Sequence, residues 1–203
     1  MSALSMQWTG THENASTMLK WSDPLWVQNW RPAGGLIYNL LGLDPSDISE
    51  ARYTESVIKV VLRGLKDAPG VAAEVFSGLA RAGIYPVQIS HDSSTKGRAD
   101  VALAIYESQM GLCQECCQLI TEDAGGSVYS VHKDVAMLSF EINPEAQAPT
   151  VIADIFEIMA HQGINIDMIS YARGCLSFLI KSHGLDRALE ALDDHGINPE
   201  PGV

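Results

Sequence analysis

Positive charge is scarce in this chain. Thirteen Lys and Arg stand against 25 Asp and Glu, for a formal net charge of −12 at pH 7. Phosphate backbones are held by clustered Lys and Arg, so this balance argues against a nucleic-acid partner. Long apolar runs are also missing: none approaches the ~18 residues of a membrane span, and no membrane partner is expected. The opening "MSALSMQWTG" lacks the basic flank and apolar stretch of a secretory signal, so the expected location is cytoplasmic. Cysteine occurs only at Cys113, Cys116, Cys117 and Cys175. The spacing in "CQECC" suits a chelate, but no matching His or second Cys pair completes a tetrahedral set. On a helix those three cysteines share one face and read as small buried side chains, so neither metal nor cofactor is expected. What remains is an ordinary globular composition: 203 residues, 46% hydrophobic and 19% charged. That is enough for one large domain or two small ones.

One pattern is written twice. "LKDAPGVAAEVFSGLARAGIYPVQIS" (65–90) lines up without gaps on "AQAPTVIADIFEIMAHQGINIDMIS" (146–170) when Pro69 is set on Pro149. Val71 then meets Val151, Val75 meets Ile155, Phe76 meets Phe156 and Leu79 meets Met159. Gly83 meets Gly163, Ile84 meets Ile164 and Ser90 meets Ser170. The first half of each copy has the i, i+4, i+8 apolar stripe of a helix lying on a sheet. Gly83 and Gly163 stand where such a helix must stop. Upstream, "IKVVLRG" and "LSFEINP" alternate as half-buried strands do. Downstream, "DVALAIY" (100–106) and "CLSFLI" (175–180) read as further strands, followed by helices around 108–122 and 185–195. The first copy closes with the strand "GSVYSVH", whereas the second ends in "INPEPGV", a poor strand. The unit is β-α-β-β-α-β, and the expected class is α+β, two ferredoxin-like units with antiparallel sheets. The second unit lacks its last strand. "ISEARY" (48–53), just before the first unit, can fill that edge and interlace the two.

At this point the residues resemble a known family. "LKDAPGVAAEVFSGLARAGI" and "INIDMISYARGCLSFLI" are similar to the paired ACT domains at the carboxyl end of aspartate kinases. The family's D-x-P-G-x-A turn stands here as Asp67, Pro69, Gly70 and Ala72, and its N-I-x-M-I-S as Asn165, Ile166, Met168, Ile169 and Ser170. The resemblance covers about residues 48–195 and implies that the leading strand completes the second unit. It divides the chain into a leader (1–47), that strand (48–56), a first ACT domain (57–133), a second (134–196) and a tail (197–203). "SDPLWVQNWRPAGGLI" (22–37) resembles the tail that closes the kinase catalytic domain. Trp8, Trp21, Trp26 and Trp30 all lie in this leader and read as packing residues. No phosphate-cradling loop with a lysine and no acidic metal pair is found, so no catalytic residue is assigned.

An amino-acid effector is a zwitterion, which needs N–H donors for its carboxylate and acceptors for its ammonium. The corner Asp67, Ala68, Pro69, Gly70, Val71 and Ala72 offers both. Backbone N–H groups of Gly70, Val71 and Ala72 lie at a helix N-terminus, and Asp67 can accept from an ammonium. The plainer alternative is that Asp67 is an N-cap and Pro-Gly shapes the turn. The resemblance implies a ligand bridging two protomers, with this corner facing Asn165 and Ile166 of the partner. Where the family's first unit reads I-N-I-D-M-V-L-Q-N, this chain has "IYPVQISHD". Tyr85, Val87, His91 and Asp92 replace Asn, Asp, Gln and Asn, so Tyr85, Val87 and His91 join the candidate site. In the second copy Thr150 replaces the turn glycine, and one type of effector site is expected.

The leading expectation is a non-catalytic, amino-acid-binding regulatory protein of the feedback-inhibition kind, with lysine or threonine as first effector. A homodimer and a separate kinase subunit are its implied partners. The rivals are an ACT pair that dimerises without sensing, and a fragment of a complete aspartate kinase. An enzyme in its own right would need a nucleophile–base pairing, which neither the leader nor the Cys cluster offers.

Overall fold

The computed structural model describes residues 43–202, apart from Thr95 and Ser127. The four tryptophans and the segment 22–37, read above as a kinase-domain tail, lie outside the described residues. A 3-10 turn (Pro45–Asp47) opens on Asp44, whose carboxylate accepts the Ser46 N–H at 2.9 Å. Then come β1 (Ile48–Thr54), β2 (Val57–Lys66), α1 (Val71–Arg81), β3 (Gln88–Ser94), β4 (Arg98–Tyr106), α2 (Met110–Asp123) and β5 (Val128–His132). The same succession returns as β6 (Val135–Ile142), α3 (Ala148–His161), β7 (Ile166–Ala172), β8 (Cys175–Lys181) and α4 (Leu185–Asp194). A two-residue β9 (Glu200–Pro201) ends the described chain.

The strands form two sheets, ordered β3-β4-β2-β5 and β7-β8-β6-β1-β9. Strand β1 runs antiparallel to β6, with Ala51 opposite Phe140 and Tyr53 opposite Leu138. The second sheet thus borrows a strand that precedes the first, and the α+β fold is interlaced. The proline-rich end adds a short parallel strip to β1, Arg52 opposite Glu200, and caps that edge.

Alternation along each strand sends apolar side chains to the helix side. Ile58, Val60 and Leu62 of β2 are at most 1% exposed and meet Val75, Leu79, Cys113, Cys117 and Ile120. The second core gathers Leu138, Phe140, Ile155, Ile158 and Leu176 around Phe178, which stacks on Phe140 and meets Phe156 edge-on. The sheets touch through their other faces, where Val57 and Ala104 pack with Val135 and Leu179. Across this seam Lys59 Nζ lies 2.7 Å from both carboxylate oxygens of Asp167, and Gln88 Nε2 donates to the Ser177 carbonyl at 3.4 Å.

Two local features shape the first unit. The register of β2 against β4 shifts between Leu62 and Leu65, with Gly64 at φ +65°. Asp100 Oδ1 accepts the Gly64 N–H at 2.7 Å, and Arg98 Nη1 donates to the carbonyls of Gly64 and Gly125. This bulge returns Leu65 to the core and aims the strand end at the corner that follows. On the helix layer, a Cβ at Gly78 would sit 2.6 Å from Ile120 Cγ1, so α1 and α2 pack closely there. Among the described residues no helix is long and apolar enough to cross a membrane.

Candidate functional site

The corner between β2 and α1 is built by the backbone. The Asp67 N–H donates to the Gly97 carbonyl at 3.0 Å, which ties the corner to the β3–β4 hairpin. The Val71 N–H reaches the Ala68 carbonyl at 3.3 Å, and Gly70 takes φ +101°. The first i→i−4 bond of α1 then runs from the Glu74 N–H to the Gly70 carbonyl at 3.0 Å. Among the described residues nothing lies within 4 Å of a Cβ built on Gly70, so the glycine serves its dihedral rather than close packing. The cap position is Gly70, with no side-chain cap. Asp67 is therefore not the N-cap, and among the described residues its exposed carboxylate has no partner.

Beside this corner lies a cavity of about 400 Å³, lined by residues 65–72 with His91, Ala99 and Val101. Its floor is apolar: Leu65, Ala99 and Val101 are at most 4% exposed. His91 stands opposite Val101 in the β3–β4 ladder, so the imidazole shares the helix-side face with that floor. The corner supplies amide donors at a helix start, although the Val71 N–H is already engaged with Ala68. An anion at the helix start, an ammonium at Asp67 and a small side chain over the floor can be held together here.

One chain gathers only part of the candidate set. Asp67, Ala68, Pro69, Gly70, Val71, Ala72 and His91 line one recess. Tyr85 and Val87 are exposed (71% and 36%) just ahead of β3 and do not line it. Asn165 and Ile166 sit at the start of β7, on the edge of the other sheet. Leu65, Ala99 and Val101 were not legible as site residues. Their only signal is strand alternation, and which strands face the corner depends on pairing.

The second copy builds no such corner. Helix α3 starts at Ala148, with Pro149 inside its first turn. The Thr150 and Val151 N–H groups both donate to the Gln147 carbonyl, at 2.8 and 3.2 Å. Without a glycine at positive φ the helix simply begins earlier, and Tyr171 takes the place of His91. The cysteine cluster lies in the core beneath α2. Cys113 and Cys117 are fully buried with sulfurs 3.1 Å apart. The contact with Cys113 and burial push the Cys117 thiol strongly upward, so it stays protonated and acts as a packing group.

The ACT domain family model matches residues 146–195. The chain is 30% identical over 139 residues to an aspartokinase of Thermus thermophilus, covering 66% of this chain and 33% of that protein. It is 27% identical over 154 residues to an aspartokinase of Mycolicibacterium smegmatis, covering 75% and 37%. The chain thus spans about a third of the length of these curated relatives. The solved regulatory subunit of aspartate kinase from Thermus thermophilus, in its ligand-free form, superposes with a TM-score of 0.68 at 26% identity. That match covers 73% of this chain and 98% of the subunit. Residues 146–195 thus match the ACT domain model, and the chain is similar, over nearly three quarters of its length, to a regulatory subunit of aspartate kinase.

Proposed function

We propose that this chain is a non-catalytic regulatory protein that binds an α-amino acid at the β2–α1 corner and passes the signal to an aspartate-kinase-like partner. The observation that carries the reading is the recess at the head of α1. It sets a helix start, an Asp67 carboxylate without a partner among the described residues and an apolar floor around a volume suited to a small metabolite. The near-complete overlap with a protein that is itself a regulatory subunit supports a separate catalytic partner. In this reading the remaining candidates, Asn165 and Ile166, on an edge of the other sheet, meet the recess of a second copy, and the working form is a cytoplasmic homodimer. Lysine and threonine are the first effectors to try.

A ligand that binds only the folded state stabilises it by mass action, about 2.7 kcal/mol at a hundredfold excess over Kd. Thermal melting of the full chain with each of the twenty amino acids at millimolar concentration should raise Tm by several degrees for one or a few of them. A flat response across the set would remove the basis of the proposal. The same chain should give no ATP-dependent phosphorylation of aspartate.

A second reading has its own observation. Tyr85 and Pro86 delay the start of β3, and Thr150 abolishes the second corner; in this reading the pair is kept for assembly alone, in the sense of the dimerisation rival. That protein would sediment as a dimer and melt at one temperature whatever amino acid is added.

A further inference from the structure

Charge balance at the recess limits what it can hold. Resting on the effector reading above, we infer that the recess selects an α-amino acid with a short, uncharged side chain and turns lysine away.

A lysine effector carries two ammonium groups and needs two anionic partners. Among the described residues lining the recess, Asp67 is the single carboxylate. The α-ammonium, common to every amino acid, uses it. The other polar lining residues, Lys66 and His91, add no carboxylate, and Lys66 brings a further positive charge. Nearby acids are turned elsewhere. Asp100 accepts the Gly64 N–H and pairs with Arg63, and Asp92 alternates with His91 onto the opposite face of β3. Glu74 lines a separate groove between α1 and α2. A second copy does not repair the deficit either. Its edge strand would bring Asp167 beside Asn165 and Ile166, but Asp167 already holds Lys59 through both oxygens.

The surroundings suit a neutral side chain. A methyl or methylene can rest on Leu65, Ala99 and Val101, which are buried and apolar. A neutral imidazole has one donor and one acceptor nitrogen, so His91 can serve a hydroxyl or an amide in either sense. Threonine is the probe that combines both features.

Calorimetric titration of the full chain with threonine and with lysine, at matched ionic strength, tests the inference. Threonine should bind about tenfold or more tighter than lysine, the ratio expected for one unmatched charge near a protein surface. His91→Glu supplies a second carboxylate at an exposed strand position and should bring lysine level with threonine or ahead of it; His91→Asp repeats the test if the first variant does not fold. Lysine binding as tightly as threonine to the wild-type chain, or a ratio unmoved by the added carboxylate, would overturn the selectivity while leaving the site reading intact. Binding of neither amino acid to the wild-type chain would overturn both.

Discussion

Gly70 holds φ +101°, where a side chain is strained, and the second copy displays the alternative. With Thr150 in the equivalent place, the helix starts at Ala148 and absorbs the corner. Gly70→Ala should cost about 1–2 kcal/mol in urea unfolding, and it should cancel any amino-acid-induced rise in Tm. Asp154 on α3 poses a different question. It is 2% exposed, its Oδ1 has no hydrogen-bond partner among the described residues, and burial, reinforced by Glu157, raises its carboxyl above the usual carboxylate range. The folded state therefore keeps a proton that the unfolded chain releases first. Stability is unaffected below the unfolded value near ~4 and falls as pH rises from there through the raised folded value. Asp154→Asn should melt higher than the parent at pH 7, with the gap closing in melts below about pH 4. A gap that persists in acid would place the effect in packing instead of ionisation.

Elements pack where their small residues allow it. Gly78 lets α1 lie against Ile120 of α2, so a β-branched side chain there must push the helices apart. Gly78→Val should cost about 1–3 kcal/mol by overpacking, read as a lower urea midpoint with an unchanged m-value. The succession of elements was legible because the apolar stripes of α1 and α3 and the alternation of β2 and β6 repeat in register. The α+β class and the interlacing followed from that repeat and from the strand the second copy lacks. Element edges were less legible, for local reasons. Pro86 and its neighbours hold β3 back to Gln88, and Thr150 moves the start of α3 forward. The Gly64 bulge carried a signal, a glycine inside a strand, but its effect on Leu65 depends on Asp100 and Arg98 across the ladder. At the recess, the corner residues could be named from the turn alone. The floor could not, since Ala99 and Val101 reach it only through strand pairing.

The whole molecule is joined along the seam between its sheets, and two kinds of contact compete there. The Lys59–Asp167 pair is close, but the Asp167 side chain is 40% exposed and its attraction is screened by water. Leu179 is fully buried in the same seam. Lys59→Met should therefore cost less than about 1 kcal/mol, whereas Leu179→Ala should cost about 2–5 kcal/mol. Paired denaturation curves check the order, and a reversal would assign the seam to charge. Strand β1 imposes a further condition during synthesis. It leaves the ribosome ahead of every other described strand, yet its partner β6 follows only after the entire first unit has emerged. Until then β1 lacks its antiparallel partner, and closing so long a sequence separation is the step expected to be slowest.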